Sequence, residues 1–173
     1  MKIVSLEKIN KKLFFPTMRA VPSKTDLNTF QKIKKFLTDR REWEIREDYV
    51  IWCDYLQKYI FVPKGFIFDA ASVPKALHNI LGPIGILLLG SCPHDEGYRY
   101  GGFIHVNEDG SLYFKEYTKK EIDNVFFSMC KKESSLGLVS RTATASLTLF
   151  GFVAWNNARK NNRNINKDFP GLF

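Results

Sequence analysis

Between Trp43 and Phe68 the chain runs through short apolar/polar alternations with no room for a helix between them. That spacing restricts the fold more than any other feature. Trp43, Ile45, Tyr49, Ile51 and Cys53 fall on alternate positions, interrupted by Glu47, which is the repeat of a half-buried strand. Tyr59–Val62 and Phe66–Phe68 follow as a second and third strand, divided by Pro63, Lys64 and Gly65. Strands joined by such tight links pair antiparallel, because parallel pairing needs a long crossover. A hairpin is expected further on, with Phe103–Val106 and Leu112–Phe114 joined across an Asp109-Gly110 turn.

From Ser72 onward helical periods take over. Val73 and Pro74 open a short helix to Ile80, and Ile84 to about Tyr100 reads as a second. Its first half is strongly apolar (Ile84, Ile86, Leu87, Leu88, Leu89), but that run is only about half of the ~20 residues a membrane span requires. Pro93, His94 and Asp95 follow directly, so a buried core helix is expected. Thr118 to Glu121 forms a capping box, after which Ile122, Val125, Phe126, Met129 and Cys130 keep the period of an amphipathic helix. Leu136 to about Arg159 reads as a final helix, and Asp26 caps an early one over residues 27–38. The expected fold is α+β, a small antiparallel meander with hairpins packed on a bundle of about four to five helices. One domain spans 1–160, with its core at about 43–158 and an N-terminal extension at 1–42. Residues 161–173 read as a polar tail, mobile or docked onto a partner.

The three cysteines, Cys53, Cys92 and Cys130, are odd in number and irregular in spacing. They suit free thiols packed as small apolar groups rather than a disulfide framework or a zinc site. The opening residues lack a secretory leader, which places synthesis in a cytoplasm. The net charge is +8, from 26 Lys+Arg against 18 Asp+Glu. It permits a polyanionic or acidic partner, yet the basic residues are dispersed. No zinc finger, RNP-type strand or P-loop accompanies them, so no sequence-specific nucleic-acid binding is expected.

His94-Asp95-Glu96-Gly97-Tyr98 is the chemically sharpest segment. On a helix His94 and Tyr98 share a face, while Asp95 projects about 100° away. Ionisable groups placed just after an apolar half-helix sit at the core edge, where burial shifts pKa values and can poise a His as a general base. Asp69 ends an apolar strand in a turn of small residues, positioned either to cap the next helix or to point toward His94. Asp123 lies beside the apolar stripe of the capping-box helix, and is either a surface acid or a partner fixing the His94 tautomer. His78 and His105 read as surface residues. The aromatic stretch from Trp43 to Tyr59 reads as sheet core.

The ordered set GFxxDxASVP (65–74), an apolar helix running into HDxxY (94–98), a helix bearing Asp123, and Phe150 to Trp155 resembles a family of unknown function encoded mainly by tailed bacteriophages and prophages. The resemblance covers about residues 62–155 and departs at Gly97, where the family usually carries a larger apolar side chain. It implies a phage origin, with synthesis in a bacterial host cytoplasm and incorporation into the virion as one outcome. Locally, the HDxxY helix also resembles the active-site helix of secreted phospholipases A2. That resemblance implies His94 as base, Asp95 as metal ligand, Tyr98 as supporting donor and Asp123 as orienting acid. The Gly-rich calcium loop and the disulfides of those enzymes are absent, so a divalent ion (Ca²⁺ or Zn²⁺) would need other ligands such as Asp69.

Two functions are therefore expected to compete. One is a phage accessory or virion protein of tail, baseplate or neck, acting by binding phage structural proteins or a host factor. The other is a small metal-assisted hydrolase of esters, amides or phosphodiesters built on His94.

Overall fold

A computed structural model describes residues 16–21, 42–69, 88–133, 151–161 and 163–173. The helices expected over 27–38 and 73–80, the start of the one from Ile84, and residues 136–150 of the last helix lie outside the described residues. The strands are β1 (Met18–Ala20), β2 (Glu42–Ile45), β3 (Tyr49–Cys53), β4 (Lys58–Val62), β5 (Ile67–Asp69), β6 (Gly102–Val106) and β7 (Leu112–Glu116). The helices are α1 (Leu88–Tyr100), α2 (Lys119–Glu133), a stretch α3 over residues 151–160, and α4 (Ile165–Asp168). All described strand pairs are antiparallel, so the class is α+β.

The strands divide into two sheets, β1-β2-β5 and β3-β4-β6-β7. The alternation from Trp43 to Cys53 is thus two strands in different sheets rather than one. Glu47, the residue that breaks the alternation, falls in the gap between them. Residues 63–66 stabilise the break. Gly65 N–H donates to the Ile45 carbonyl at 2.7 Å, Ile45 N–H donates to Phe66 O at 2.9 Å, and Lys64 N–H donates to Asp48 Oδ1 at 3.1 Å. The meander also stops at β4. Phe68 pairs with Trp43 of β2, and β6 takes the free edge of β4 through Ile60↔His105. The hairpin β6–β7 forms as the Asp-Gly turn predicts, closed by Gly110 N–H to Asn107 O and Asn107 N–H to Ser111 O, both 2.9 Å.

The capping box of α2 is complete. Thr118 N–H donates to Glu121 Oε2 at 2.8 Å, and Glu121 N–H donates back to Thr118 Oγ1 at 3.3 Å. The α2 residues Ile122, Val125, Phe126, Met129 and Cys130 are all buried. Helix α1 packs on α2 and on strands of both sheets, joining the two sheets through one core. It ends at Gly101, whose φ of +78° is the left-handed cap that glycine accepts without strain. The Arg159 guanidinium occupies the space a side chain would need there.

Close approach of α1 depends on Gly97, the position where the sequence departs from its resemblance. A Cβ there would come within 2.8 Å of Ile122 Cγ2 and 2.9 Å of Phe103 Cε1, both on buried side chains. Gly97→Ala is therefore expected to lower stability, despite alanine's better helix propensity. Overpacking costs about 1–3 kcal/mol against a propensity gain of about 1 kcal/mol. Denaturant melts of the two proteins check the sign, and a more stable alanine variant would show that the helices can move apart.

Residues 164–173 fold back onto the domain. Asn164 caps α4, its side chain accepting from Asn166 N–H at 2.9 Å. Ile165 and Leu172 are buried in the main core, and Tyr100 Oη donates to Asp168 Oδ2 at 2.8 Å. The three cysteines are free and buried. No described helix is long and apolar enough to cross a membrane.

Candidate functional site

The packing of α1 against α2 brings together three of the five residues singled out from the sequence. His94 and Tyr98 lie one turn apart on α1, with ring centroids 4.2 Å apart, and both face Asp123 of α2. His94 Nε2–H donates to Asp123 Oδ1 at 3.3 Å, and Tyr98 Oη donates to the same oxygen at 2.8 Å. The other oxygen, Oδ2, accepts from Lys119 Nζ at 2.6 Å. Asp123 is thus a buried carboxylate with three donors on two oxygens. Phe126 closes one side of the His94 ring at 5.1 Å, and Trp155 of α3 meets the edge of Tyr98 at 5.3 Å.

Electrostatics follow from this packing. Burial pushes the Asp123 carboxyl up, but the hydrogen bonds from His94, Lys119 and Tyr98 outweigh it and hold the group below the ordinary aspartate value. Burial pushes His94 down, and here the carboxylates of Asp123 and Asp95 prevail, so the imidazole ends above its ordinary 6.5. Asp95 Oδ1 lies 4.0 Å from His94 Nδ1 and adds to that rise. The Tyr98 phenol is held protonated by burial and by its bond to Asp123. Nε2 is therefore committed to Asp123, while Nδ1 faces the half-buried Asp95.

Asp69 ends β5, opposite Glu42 in the register, and its side chain lies outside the described residues. Among the described residues no group of three or more His, Cys, Asp or Glu is gathered closely enough to hold a metal ion. The divalent-ion expectation thus rests on Asp95 alone within the described region. His78 is outside it. His105 is fully buried rather than on the strand surface, bonding the Tyr59 carbonyl through Nδ1 and the Tyr117 hydroxyl through Nε2, both at 2.9 Å. Burial drives its pKa down to about 4, which marks a neutral core residue fixed by two partners.

Sequence reasoning missed Lys119 and Glu96. Lys119 could have been found, since it stands four residues before Asp123 on a helix of known phase, the spacing of an ion pair. Glu96 gave no such sign. Its side chain is fully buried, neither oxygen has a hydrogen-bond partner, and burial raises its pKa well above 4.5. Gly151, at the start of the described part of α3, also belongs to the site. A Cβ there would meet Tyr98 Oη at 2.6 Å and Lys119 Nζ at 3.4 Å. Arg159, two turns along, donates from Nη2 to the Tyr98 carbonyl at 2.6 Å.

The fold and site define an α+β domain carrying a His–Asp pair across two packed helices, the acid being held from behind by a Tyr and a Lys. Residues 43–144, more than half of the chain, match the model of a family described as protein of unknown function (DUF1353), and the chain belongs to that family. The matched span contains His94, Asp95, Tyr98, Lys119 and Asp123. No curated protein and no solved structure matched the chain.

Proposed function

We propose that the protein is a small hydrolase in which His94 acts as general base. The observation that supports this reading is the commitment of His94 Nε2 to a carboxylate that Tyr98 and Lys119 also hold. A buried acid that fixes one ring nitrogen orients the other and stabilises the imidazolium formed during proton transfer. In the proposed step Nδ1 takes a proton from water as its oxygen bonds to the substrate's carbonyl carbon or phosphorus. The same proton then passes from Nδ1 to the departing alcohol or amine, while Nε2–H stays on Asp123. Asp95 flanks the reacting nitrogen and would be the first ligand of any Ca²⁺ or Zn²⁺ recruited there. Such an ion would polarise the scissile bond.

A base with a raised pKa works only after it loses its proton. Hydrolysis is therefore expected to fall as pH drops through an apparent pKa above 6.5. The test is turnover of fluorogenic esters, phospholipid vesicles and phosphodiesters by wild type and His94→Gln, with melting curves for both. The reading expects the variant to lose about 10²–10⁴-fold of the rate while its melting temperature stays within a few degrees. Absence of turnover on every substrate class, or a variant as active as wild type, would sink it.

A second reading has its own observation. Phe152 and Val153 are adjacent on α3 and 61% and 65% exposed, an apolar pair unusual on a surface with no partner. They favour a phage accessory or virion protein that docks on a phage structural protein or a host factor, with His94 and Asp123 as structural network. Co-purification with particles, lost in Phe152→Ser/Val153→Ser, separates this reading from catalysis.

A further inference from the structure

We infer that Trp155 is a positioning residue of the site, holding the Tyr98 hydroxyl on Asp123 and, through it, the acid that orients His94. The inference deepens the hydrolase reading and rests on it. Each link from Trp155 to His94 is a direct contact. Trp155 of α3 meets the Tyr98 ring in a T-shaped arrangement, with centroids 5.3 Å apart and planes at 78°. Tyr98 Oη donates to Asp123 Oδ1 at 2.8 Å, and His94 Nε2–H donates to the same oxygen at 3.3 Å. The His94 ring in turn packs on the Tyr98 ring at 4.2 Å. Two donors share one oxygen only while both rings keep their directions, because hydrogen bonds weaken steeply with angle. Fixing the Tyr98 ring therefore fixes the geometry at the acid.

The Trp155 contact belongs to a stripe. Gly151, Trp155 and Arg159 are four residues apart along α3, so they share one face of the helix over about 12 Å. Each meets Tyr98 at a different point. A Cβ at Gly151 would come within 2.6 Å of the hydroxyl oxygen, Trp155 takes the ring, and Arg159 Nη2 donates to the backbone carbonyl at 2.6 Å. The Arg159 guanidinium also lies over the Trp155 ring at 4.8 Å, a cation–π contact that holds the indole in place. One helix thus grips a single tyrosine at its hydroxyl, its ring and its carbonyl. Of the three residues, Trp155 supplies the side chain whose loss opens room beside the ring. All three lie beyond residues 43–144, the span that matches the family model.

The experiment compares wild type, Trp155→Ala, Trp155→Phe, Tyr98→Phe and Trp155→Ala/Tyr98→Phe in the full-length protein. Alanine opens the space beside the ring and keeps the helix. Phenylalanine at 155 keeps an aromatic neighbour, and phenylalanine at 98 removes the hydroxyl alone. NMR of protein isotope-labelled at tyrosine Cζ reports the hydrogen bonding of the Tyr98 hydroxyl. That resonance is expected to move toward the value of a solvent-exposed tyrosine in Trp155→Ala and to stay near wild type in Trp155→Phe. In denaturant melts, Trp155→Ala is expected to destabilise clearly less in the Tyr98→Phe background than in wild type, because the bond it protects is already gone. A tryptophan that only packs on the ring would cost the same in both backgrounds, since Tyr98→Phe keeps the ring. For hydrolysis, kcat is expected to fall about tenfold to a hundredfold in Trp155→Ala with KM unchanged, and to recover in Trp155→Phe. Additive melts, an unmoved Tyr98 resonance in Trp155→Ala, or turnover that requires His94 yet ignores Trp155 overturns the inference. If the resonance and the melts behave as expected but no protein hydrolyses any substrate, Trp155 still positions Tyr98 and the hydrolase reading fails.

Discussion

Asp123→Ala is expected to be the most damaging single substitution in the described structure, lowering the free energy of unfolding by about 3–5 kcal/mol. Removing the carboxylate leaves three donors aimed at nothing: His94 Nε2–H at 3.3 Å, Tyr98 Oη at 2.8 Å and Lys119 Nζ at 2.6 Å from where the acid stood. Two of them are cations or close to it, and among the described residues Asp95 would be the acid left beside them. The cost therefore exceeds that of a lost hydrogen bond and comes mostly from the partners left behind. Asp123→Asn keeps one acceptor oxygen and the shape but loses the charge, so it is expected to fall between the two. The pH dependence has a defined sign. The folded-state pKa of Asp123 is depressed, so its contribution is present above the unfolded aspartate value of 3.8 and is lost as pH falls through the lower folded value. His94 has the opposite pattern. Its raised pKa stabilises the fold below 6.5, and that part is lost as pH rises through the folded value. Urea melts of wild type and both variants between pH 3 and 8 check these statements. Equal stability of Asp123→Ala and wild type at pH 6 would show that His94 and Lys119 find water or another acid.

The site was legible in the sequence where helical phase alone decides. His94 and Tyr98 share a face because they are four residues apart, whereas the phase of the capping-box helix left Asp123 open between a surface acid and a partner of His94. The approach of those two faces was not legible, because it depends on Gly97 and on the contact between Ile122 and Phe103. Strand existence was readable and strand partnership was not. The alternation from Trp43 to Cys53 is correct for both β2 and β3, but it cannot say that the chain changes sheets at Glu47. That change is made by hydrogen bonds from residues 63–66, whose own sequence shows only a turn. His105 was misplaced for a related reason. On an edge strand a lone histidine faces solvent, yet β6 lies between β4 and β7, and an inner strand of a sheet covered by helices buries both of its faces. The C-terminal residues read as a polar tail because Ile165 and Leu172 are isolated apolar side chains, too few to show a period. They dock only because Tyr100 and the core offer them a surface.

Glu96 is expected to make the protein less stable as the solution becomes more alkaline, and its replacement should remove that dependence. The side chain is fully buried between α1 and the sheets, with neither oxygen hydrogen-bonded, so the folded state holds it as the neutral acid. The Ile104 backbone and the Arg99 charge favour the ionised form without offsetting burial, and burial likewise pushes up the Cys92 thiol one turn back. In the unfolded chain Glu96 ionises near its ordinary value of 4.5. Between that value and the raised folded one, the unfolded state binds fewer protons, and folding stability falls by up to about 1.4 kcal/mol per pH unit. Stability associated with Glu96 is thus complete below pH 4.5 and is lost as pH rises through the folded value. Glu96→Gln cannot ionise and should flatten that part of the curve. Glu96→Met also removes the unpartnered oxygens, and should stabilise the protein by about 1–3 kcal/mol at neutral pH. Chemical denaturation at half-unit steps from pH 4 to 9 separates this slope from the His94 contribution, which a parallel series in His94→Gln subtracts. Identical curves for wild type and Glu96→Gln would mean that the acid is solvated or paired in solution, and that the helix–sheet contact at Ile104 is more open than its packing indicates.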